Sequence, residues 1–294
     1  MRKGITALLV CVLAAILLFG CQVNISVGTN DYLTGEEYPN AKRYQTGEFT
    51  YNADEITAVE VYWRSGRVEL LESDAPELYV RESGEELTED AAMHCLLEDG
   101  ILRIRFCASG VKVHVNSADK HVTIAVPKGI DVSVHTTSAA VWADTLEQNS
   151  VLISAHSGAA ELGTVTANCV DLSSSSGAIR AEGISAQTLT CSTSSGRIQI
   201  SGAGVTTAEI ETSSGSVDFA PIQASAAAIY TSSGNVRVTL PPGGAVLAYT
   251  STSGRLQTKS DYGRKGDLYV FGSGETQLTV ETASGDLEME EKEK

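Results

Sequence analysis

Between residues 131 and 244 the hydrophobic positions recur with a period of 19 residues. With the glycine of a repeated Ser-Gly pair counted as position zero, aliphatic residues fill positions −7, −5, +2 and +4. Around Gly177 these are Val170, Leu172, Ile179 and Ala181. A spacing of two places both members of a pair on one face of a β-strand, so each row predicts two short strands with an inward aliphatic face. The six rows are 131–149, 150–168, 169–187, 188–206, 207–225 and 226–244.

A single row of this length cannot bury its own aliphatic face, whereas stacked rows can. Identical columns then form ladders with rungs about 4.8 Å apart, and hydrogen bonds run between the rows. Columns rich in Val and Ile are typical of buried parallel sheets. The sequence therefore predicts an all-β fold, a parallel β-solenoid with 19-residue coils over residues 131–290. The usual handedness of parallel connections makes it right-handed.

Each row turns at a short polar corner. The residue before position zero is serine in all six rows, and position −3 carries Thr or Ser in five of them. We expect the glycine to take a positive φ and the small hydroxyl groups to bond the corner backbone. A hydroxyl ladder is also the pattern of a glycan- or ice-binding strip, but position −3 continues the inward columns, which favours corner packing. The first row departs from the pattern, because Ala139 stands at position zero.

The segments that precede the rows are less regular. Alternating hydrophobic residues predict a short β-rich N-terminal part over 46–130, with a short helix or a loop within 84–97. Residues 22–45 lack periodicity and are rich in Asn, Gly, Thr and Glu, which predicts a flexible tether.

The segments that follow the rows also change character. Residues 259–274 form an insertion or an irregular turn, and one further row follows, with Leu287 in an aliphatic column. The charged residues from Glu288 onwards, which end in the tail 291–294, are expected to form a polar cap on the open edge of the solenoid.

The N-terminus carries the pattern of an export signal. Arg2 and Lys3 precede an apolar run that is too short to span a membrane comfortably, and the run ends in Leu-Phe-Gly-Cys at Cys21. This ending resembles the lipobox of bacterial lipoproteins. The resemblance implies that residues 1–21 are a lipoprotein signal peptide, that Cys21 is the lipidation site and mature N-terminus, and that a lipid anchor holds the chain on the extracytoplasmic face of the cell membrane.

The chain is strongly acidic, with 21 Lys and Arg against 37 Asp and Glu and a formal net charge of −16. Loss of Arg2 and Lys3 with the signal peptide would make this about −18. Such a surface repels nucleic acid and anionic headgroups, so the membrane is expected as a partner only through the N-terminal lipid anchor. An envelope protein or a glycan is the partner that an exported chain would meet.

The cysteines indicate no metal site. Their spacings fit no zinc pattern, no histidine cluster accompanies them, and we expect no metal and no cofactor. Cys95 and Cys107 flank a predicted hairpin turn and could form a disulfide in an exported chain, although unpaired cysteines packed as small side chains fit equally well.

The best candidates for catalysis are Asp171 and Glu209, which share the outward column at position −6 two rungs apart, or roughly 9–10 Å. That separation is close to the one used by inverting glycosidases. Against an enzyme, rows of constant length build no cleft walls, and outward aromatic residues are few. Histidines such as His135 and His156 lie near serines, but serine is so frequent here that the proximity carries little information.

The repeated Thr-Ser-Ser-Gly followed by alternating aliphatic residues resembles the DUF4097 family of β-strand-repeat, adhesin-like proteins. The segments Val61–Leu70, Ile101–Ile104 and Val122–Gly129 resemble its first strands and the entry to its solenoid. The resemblance covers about residues 45–290 and implies a β-solenoid in an envelope setting. It carries over no catalytic residue. The chain departs from the family pattern at Ala139 and at 259–274.

We therefore predict a lipid-anchored, extracytoplasmic β-solenoid that is not an enzyme and acts as an adhesin-like binding or structural module of the cell envelope. The alternatives are a cell-wall or polysaccharide hydrolase that uses Asp171 and Glu209, and an envelope-stress or signalling partner. Function is expected on outward positions where the rows differ. These are Trp142, Glu161, Arg180, Gln199, Asp218 and Arg237.

Overall fold

The computed structural model describes residues 37–84, 87–111 and 120–291. The lipobox and most of the expected tether lie outside these residues. Within them the chain forms one 22-stranded sheet that winds through stacked rows. Over the described ranges the helical elements are two short 3-10 turns, Ala41–Arg43 and Ala53–Glu55. In the part of the chain that is described, no helix is long and apolar enough to cross a bilayer.

The predicted rows stack in parallel, each residue beside the one 19 positions further along the chain. Ala160 pairs with Ile179, and Leu172 pairs with Cys191. This register confirms the parallel β-solenoid; its right-handedness stays a prediction. The strands of this region are β9 Asp131–Thr136, β10 Ala140–Glu147, β11 Ser150–Ala155, β12 Ala160–Ser174, β13 Ile179–Thr193, β14 Ile198–Thr212, β15 Val217–Thr231 and β16 Val236–Thr239.

The aliphatic columns form the core, as predicted. Val170, Leu172 and Ile179 are fully buried. The structure adds a column that the period-two pairs do not reveal, at position +7, which holds Leu146, Val165, Ile184 and Ala203. Because this column also faces inward, β12 to β15 continue unbroken from one corner to the next over 15 residues each. The strand that follows one corner therefore continues into the strand that precedes the next corner, where two separate short strands were predicted.

The corner glycines are required for a reason other than the one predicted. None of those at 158, 177, 196, 215 and 234 has a positive φ. A Cβ added to Gly196 would instead lie 2.0 Å from the carbonyl oxygen of Gly177 in the row below. The backbone of each corner thus rests on the backbone of the previous one, which leaves no room for a side chain. Ala139 is tolerated because Gly66, the residue beside it in the neighbouring row, belongs to a corner of different shape, with φ of 84°.

The hydroxyl groups at position −3 serve the corner, as predicted. The backbone N–H of Gly196 donates to Thr193 Oγ1 over 3.0 Å, and that of Gly215 donates to Thr212 Oγ1 over the same distance. Thr193 and Thr212 are buried. These hydroxyls are therefore part of the corner and not of a binding strip.

The N-terminal end does not stack in sequence order. The row formed by β3 and β4 lies between the row formed by β7 and β8 and the first repeat row, β9 and β10. The row of β3 and β4 is thereby covered on both sides. The strands are β1 Gln45–Thr46, β2 Phe49–Asn52, β3 Ala58–Trp63, β4 Arg67–Ser73, β5 Glu77–Ser83, β6 His94–Glu98, β7 Ile101–Arg105 and β8 His121–Pro127.

One segment at this end differs from expectation. Residues 37–45 were expected to belong to a flexible tether, yet Tyr38 and Tyr44 pack with Leu96 in a small apolar cluster, because two aromatic rings gain by burial. Within 84–97, where a short helix or a loop was expected, the described residues contain turns and the start of β6, so the loop is the alternative that the structure supports.

Cys95 and Cys107 are free thiols. Cys95 pairs with Ile104 across the β6–β7 hairpin, which leaves Cys107 three residues further along. This offset of roughly 10 Å exceeds the reach of a disulfide. For Cys95 and Cys107, the structure supports the alternative of unpaired, packed side chains.

The C-terminal end repeats the out-of-order stacking. The last row, β21 and β22, lies between the row of β15 and β16 and the row of β17 and β18. Glu288 and Glu290 are therefore strand residues inside the stack and not the polar cap that we expected. The strands are β17 Gly244–Ser251, β18 Leu256–Thr258, β19 Tyr262–Lys265, β20 Leu268–Gly272, β21 Thr276–Thr282 and β22 Leu287–Glu290.

Candidate functional site

In the outward column at position +3, Asp218 and Arg237 form ion pairs with charged residues of neighbouring rows. Asp218 lies 2.6 Å from Arg197 and 3.7 Å from Arg237, and Arg237 also lies 2.9 Å from Glu288. Such exposed pairs contribute about 1 kcal/mol or less each. The column runs in register through Trp142, Glu161, Arg180, Gln199, Asp218 and Arg237. Arg180 pairs instead with Glu182 of its own row, so the column holds ion pairs both within and between rows.

Asp171 and Glu209 occupy one outward column, as predicted, with Thr190 between them. Burial raises the pKa of Asp171, the direction that a general acid requires. Within the column the two acidic residues are flanked by apolar side chains, since Leu152 precedes Asp171 and Ala228 follows Glu209. Among the described residues no group of three or more His, Cys, Asp or Glu is arranged to hold a metal ion.

His135 and Ser133 do form a pair, although their proximity in the sequence carried little information. Ser133 Oγ lies 2.9 Å from His135 Nε2, and the imidazole stacks on Tyr62 with ring centroids 5.0 Å apart. The guanidinium of Arg105 covers Tyr62 at 3.7 Å from the ring centre. Burial, with the charge of Arg105, lowers the pKa of His135 to about 4. Ser133 is 1 % and His135 8 % exposed, so both are packing groups and not a nucleophile and base open to substrate.

A groove lies on another face of the solenoid, beyond position +4. It has a volume of about 460 Å³ and crosses four rows. Its floor contains Gly183, Gly202 and Gly204, where the lack of side chains brings the backbone to the surface. Its remaining lining is Thr164, Ile184, Ser185, Ala186, Val205, Thr206, Ile222, Gln223 and Ser225.

A pair of strand irregularities shapes this groove. The register between β14 and β15 slips at Gly202, which has φ of 67°, and the slip is reversed at Ile222. A one-residue slip turns a side chain to the opposite face. Ile222 stands at position +7, where earlier rows point inward, yet it is 53 % exposed. The groove thus combines a glycine floor, hydroxyl and amide groups, and one apolar side chain that the slip has turned outward.

Sequence reasoning missed the groove, although a signal for it was present. Gly183 pairs with Thr164, and the next row brings Gly202 and Gly204 to the same region. These glycines lie outside the Ser-Gly corners, and this clustering could have marked a face without side chains. Cys21, the predicted lipidation site, lies outside the described residues.

Comparison with known proteins shows which family and which solved structures share this fold. The family model described as Toastrack DUF4097 matches residues 56–290, and no curated protein matches the chain. A Parabacteroides distasonis structure, inferred to be a lipid binding protein, is 18 % identical with a TM-score of 0.54 over 84 % of this chain and 96 % of that one. A Parabacteroides merdae structure, inferred to be an adhesin, is 16 % identical with a TM-score of 0.52 over 85 % and 97 %. These identities show a shared fold, and the family match covers most of the sequence. The chain belongs to the Toastrack DUF4097 family.

Proposed function

We propose that this protein is a lipid-anchored, non-catalytic binding module on the extracytoplasmic face of the cell envelope. The anchor rests on the lipobox that ends at Cys21. The adhesin-like role is supported by the fold shared with the inferred adhesin of Parabacteroides merdae. In this proposal the solenoid is a rigid support that carries a binding surface away from the membrane.

The groove with the glycine floor is the observation that carries the binding role. Hydroxyl groups of Thr164 and Ser185 and the amide of Gln223 offer both donors and acceptors, while Ile222 offers an apolar contact. An extended envelope glycan presents hydroxyl groups along its edges and apolar C–H faces, and it can approach closely where glycine leaves the backbone open. We therefore assign an envelope glycan as the ligand class.

Binding is tested with the purified full chain in detergent and with isolated cell-wall and capsular polysaccharides. The proposal predicts binding without release of soluble sugar. Ile222→Asp places a charge on the apolar contact at a position that is already exposed, so it should weaken binding about tenfold without loss of folding. Glu161→Gln, on the face of the +3 column, is the matched control and should bind as the wild type does. Equal binding by both variants would contradict the groove assignment.

A second candidate, a polysaccharide hydrolase, is favoured by one observation. The raised pKa of Asp171, in the same column as Glu209, suits a general acid with a distant base. The same polysaccharide assay separates the two functions. Release of reducing ends that Glu209→Gln abolishes would support the hydrolase, and binding without release supports the module.

The anchor is tested separately by detergent phase partitioning of cell extracts. Wild-type protein should enter the detergent phase, and Cys21→Ala should lose this behaviour if lipidation provides the anchor.

A further inference from the structure

The C-terminal end of the stack finishes in an exposed strand edge. In the described part of the chain β19 pairs with β20 alone, and all four of its residues are exposed. Tyr262 is 46 % exposed and is one of two exposed large hydrophobic side chains among the described residues. The ring of Tyr262 lies against Tyr269 and Phe271, and Arg264 stacks on Tyr269, so this hairpin is an ordered surface. A free edge of this kind is a template for another strand.

The turn of the hairpin fixes which backbone groups point outward. Lys265 pairs with Leu268, so two residues close the loop. In such a hairpin the residues that flank the loop exchange hydrogen bonds, and every second pair along the strands does the same. Lys265 and Gly263 therefore direct their N–H and C=O groups to β20. Tyr262 and Arg264 direct theirs away from it.

We propose that this edge pairs with the same edge of a second copy of the chain, antiparallel and centred on Gly263. In that register Tyr262 of each copy faces Arg264 of the other, and both residues have outward hydrogen-bonding groups. The two pairs together give four backbone hydrogen bonds across the contact. The arrangement is isologous, because each copy contributes the same surface.

The side chains in this register are complementary. Tyr262 and Arg264 point to one face of the sheet, so each ring would meet the guanidinium group of the other copy, a favourable pairing. On the opposite face Asp261 would meet Lys265 of the other copy, twice by symmetry. Gly263 meets Gly263 at the centre, and nothing lies within 4 Å of the Cβ position of Gly263. A shift by two residues would place Arg264 against Arg264, which disfavours that alternative.

The contact would join two solenoids end to end, with the N-terminal strands at the far end of each. It does not depend on the proposed glycan groove or on the anchor. Because the strands are short and make few contacts, the dimer is expected to be weak. Its test must therefore trap the dimer covalently.

The first test is mild oxidation of the full chain carrying Gly263→Cys. Directly opposite residues at a pair without hydrogen bonds lie about 4.5 Å apart, within disulfide range. Gly263→Cys should therefore give a covalent dimer on non-reducing gels. Asp267→Cys, in the exposed turn of the same hairpin, would lie roughly 26 Å from its counterpart and should give only the wild-type background. Equal dimer yields for the two variants would overturn the proposal.

The second test exchanges the charges in the Gly263→Cys background. Lys265→Asp alone places two like-charged pairs in the contact and should lower the dimer yield about tenfold. Adding Asp261→Lys restores opposite charges and should restore the yield. Failure of the double change to recover the dimer would refute this register, whatever the effect of the single change.

Discussion

The corner glycines lead to the most specific prediction on stability. Replacing Gly196 by alanine adds one methyl group at a corner whose backbone rests on the row below. The new Cβ would lie 2.0 Å from the carbonyl oxygen of Gly177 and 2.7 Å from its carbonyl carbon. Carbon and oxygen normally approach to about 3.3 Å, so the two corners would have to separate by more than 1 Å.

Hydrogen bonds on both sides of the corner oppose that separation. The N–H of Ser195 donates to the carbonyl of Ser175 over 3.1 Å, and the N–H of Ile179 donates to that of Arg197 over 2.9 Å. Loss of two such bonds costs about 2 kcal/mol, and backbone overpacking adds about 1–3 kcal/mol. We expect Gly196→Ala to lower the free energy of unfolding by about 3–5 kcal/mol.

Urea unfolding followed by circular dichroism measures this loss. The matched control is Gly204→Ala, in the same row, where the nearest atom to the added Cβ is Ile222 Cγ1 at 3.9 Å. Its cost should be within about 0.5 kcal/mol. Gly196→Asn separates the two explanations of the corner, since asparagine tolerates positive φ better than alanine does but has the same Cβ. If Gly196→Asn or Gly196→Ala proves as harmless as the control, the close-contact argument is wrong.

Three further predictions concern the core, the corner and pH. Ile198→Asp places a carboxylate in a fully buried ladder and should lower stability by about 4 kcal/mol or more; an unchanged melting temperature would show that the column is not dry. Thr212→Val leaves the N–H of Gly215 without its acceptor and should cost about 1–3 kcal/mol in urea unfolding, whereas Thr212→Ser should cost less. Because burial lowers the pKa of His135 to about 4, the native state binds its proton less readily than the unfolded chain, so stability is lost as pH falls from 6.5 towards 4. The loss is about 3 kcal/mol, and His135→Gln should remove it; parallel pH profiles for variant and wild type would contradict this.

The repeat predicted the solenoid because its period and its parity are both local properties of the sequence. A period of 19 fixes which residues stack, and the spacing of two fixes which residues face inward. Val170 and Ile179 could be assigned to the core for that reason. The reason for the corner glycines could not be inferred, because the contact of Gly196 with Gly177 joins two rows and depends on how closely their backbones approach.

The ends of the stack were beyond the reach of the repeat. A periodic pattern assigns Leu287 to an aliphatic column, yet it does not say which row Leu287 will lie beside. Its partners are Val236 and Leu256, so the last row is inserted between two earlier ones. Its place between two rows buries both sides of the last row. The segment 259–274 makes this possible, because it forms the β19–β20 hairpin as the new edge of the stack.

The candidate groove shows a similar limit. Its chemistry depends on Ile222, whose column position predicts burial and whose exposure arises from a register slip at Gly202. A slip of one residue reverses a side chain while leaving the sequence period intact. Function was expected on the +3 column, but three of its charged residues, Arg180, Asp218 and Arg237, form ion pairs within the protein, and the groove lies on a neighbouring face.

The proposed lipid anchor at Cys21 would hold the solenoid and its groove outside the membrane, among envelope glycans. Labelling of growing cells with a radioactive fatty acid tests this anchor most directly. We expect the wild-type chain to take up label and Cys21→Ala, expressed to the same level, to take up none. Equal label on both proteins, or on neither, would contradict it.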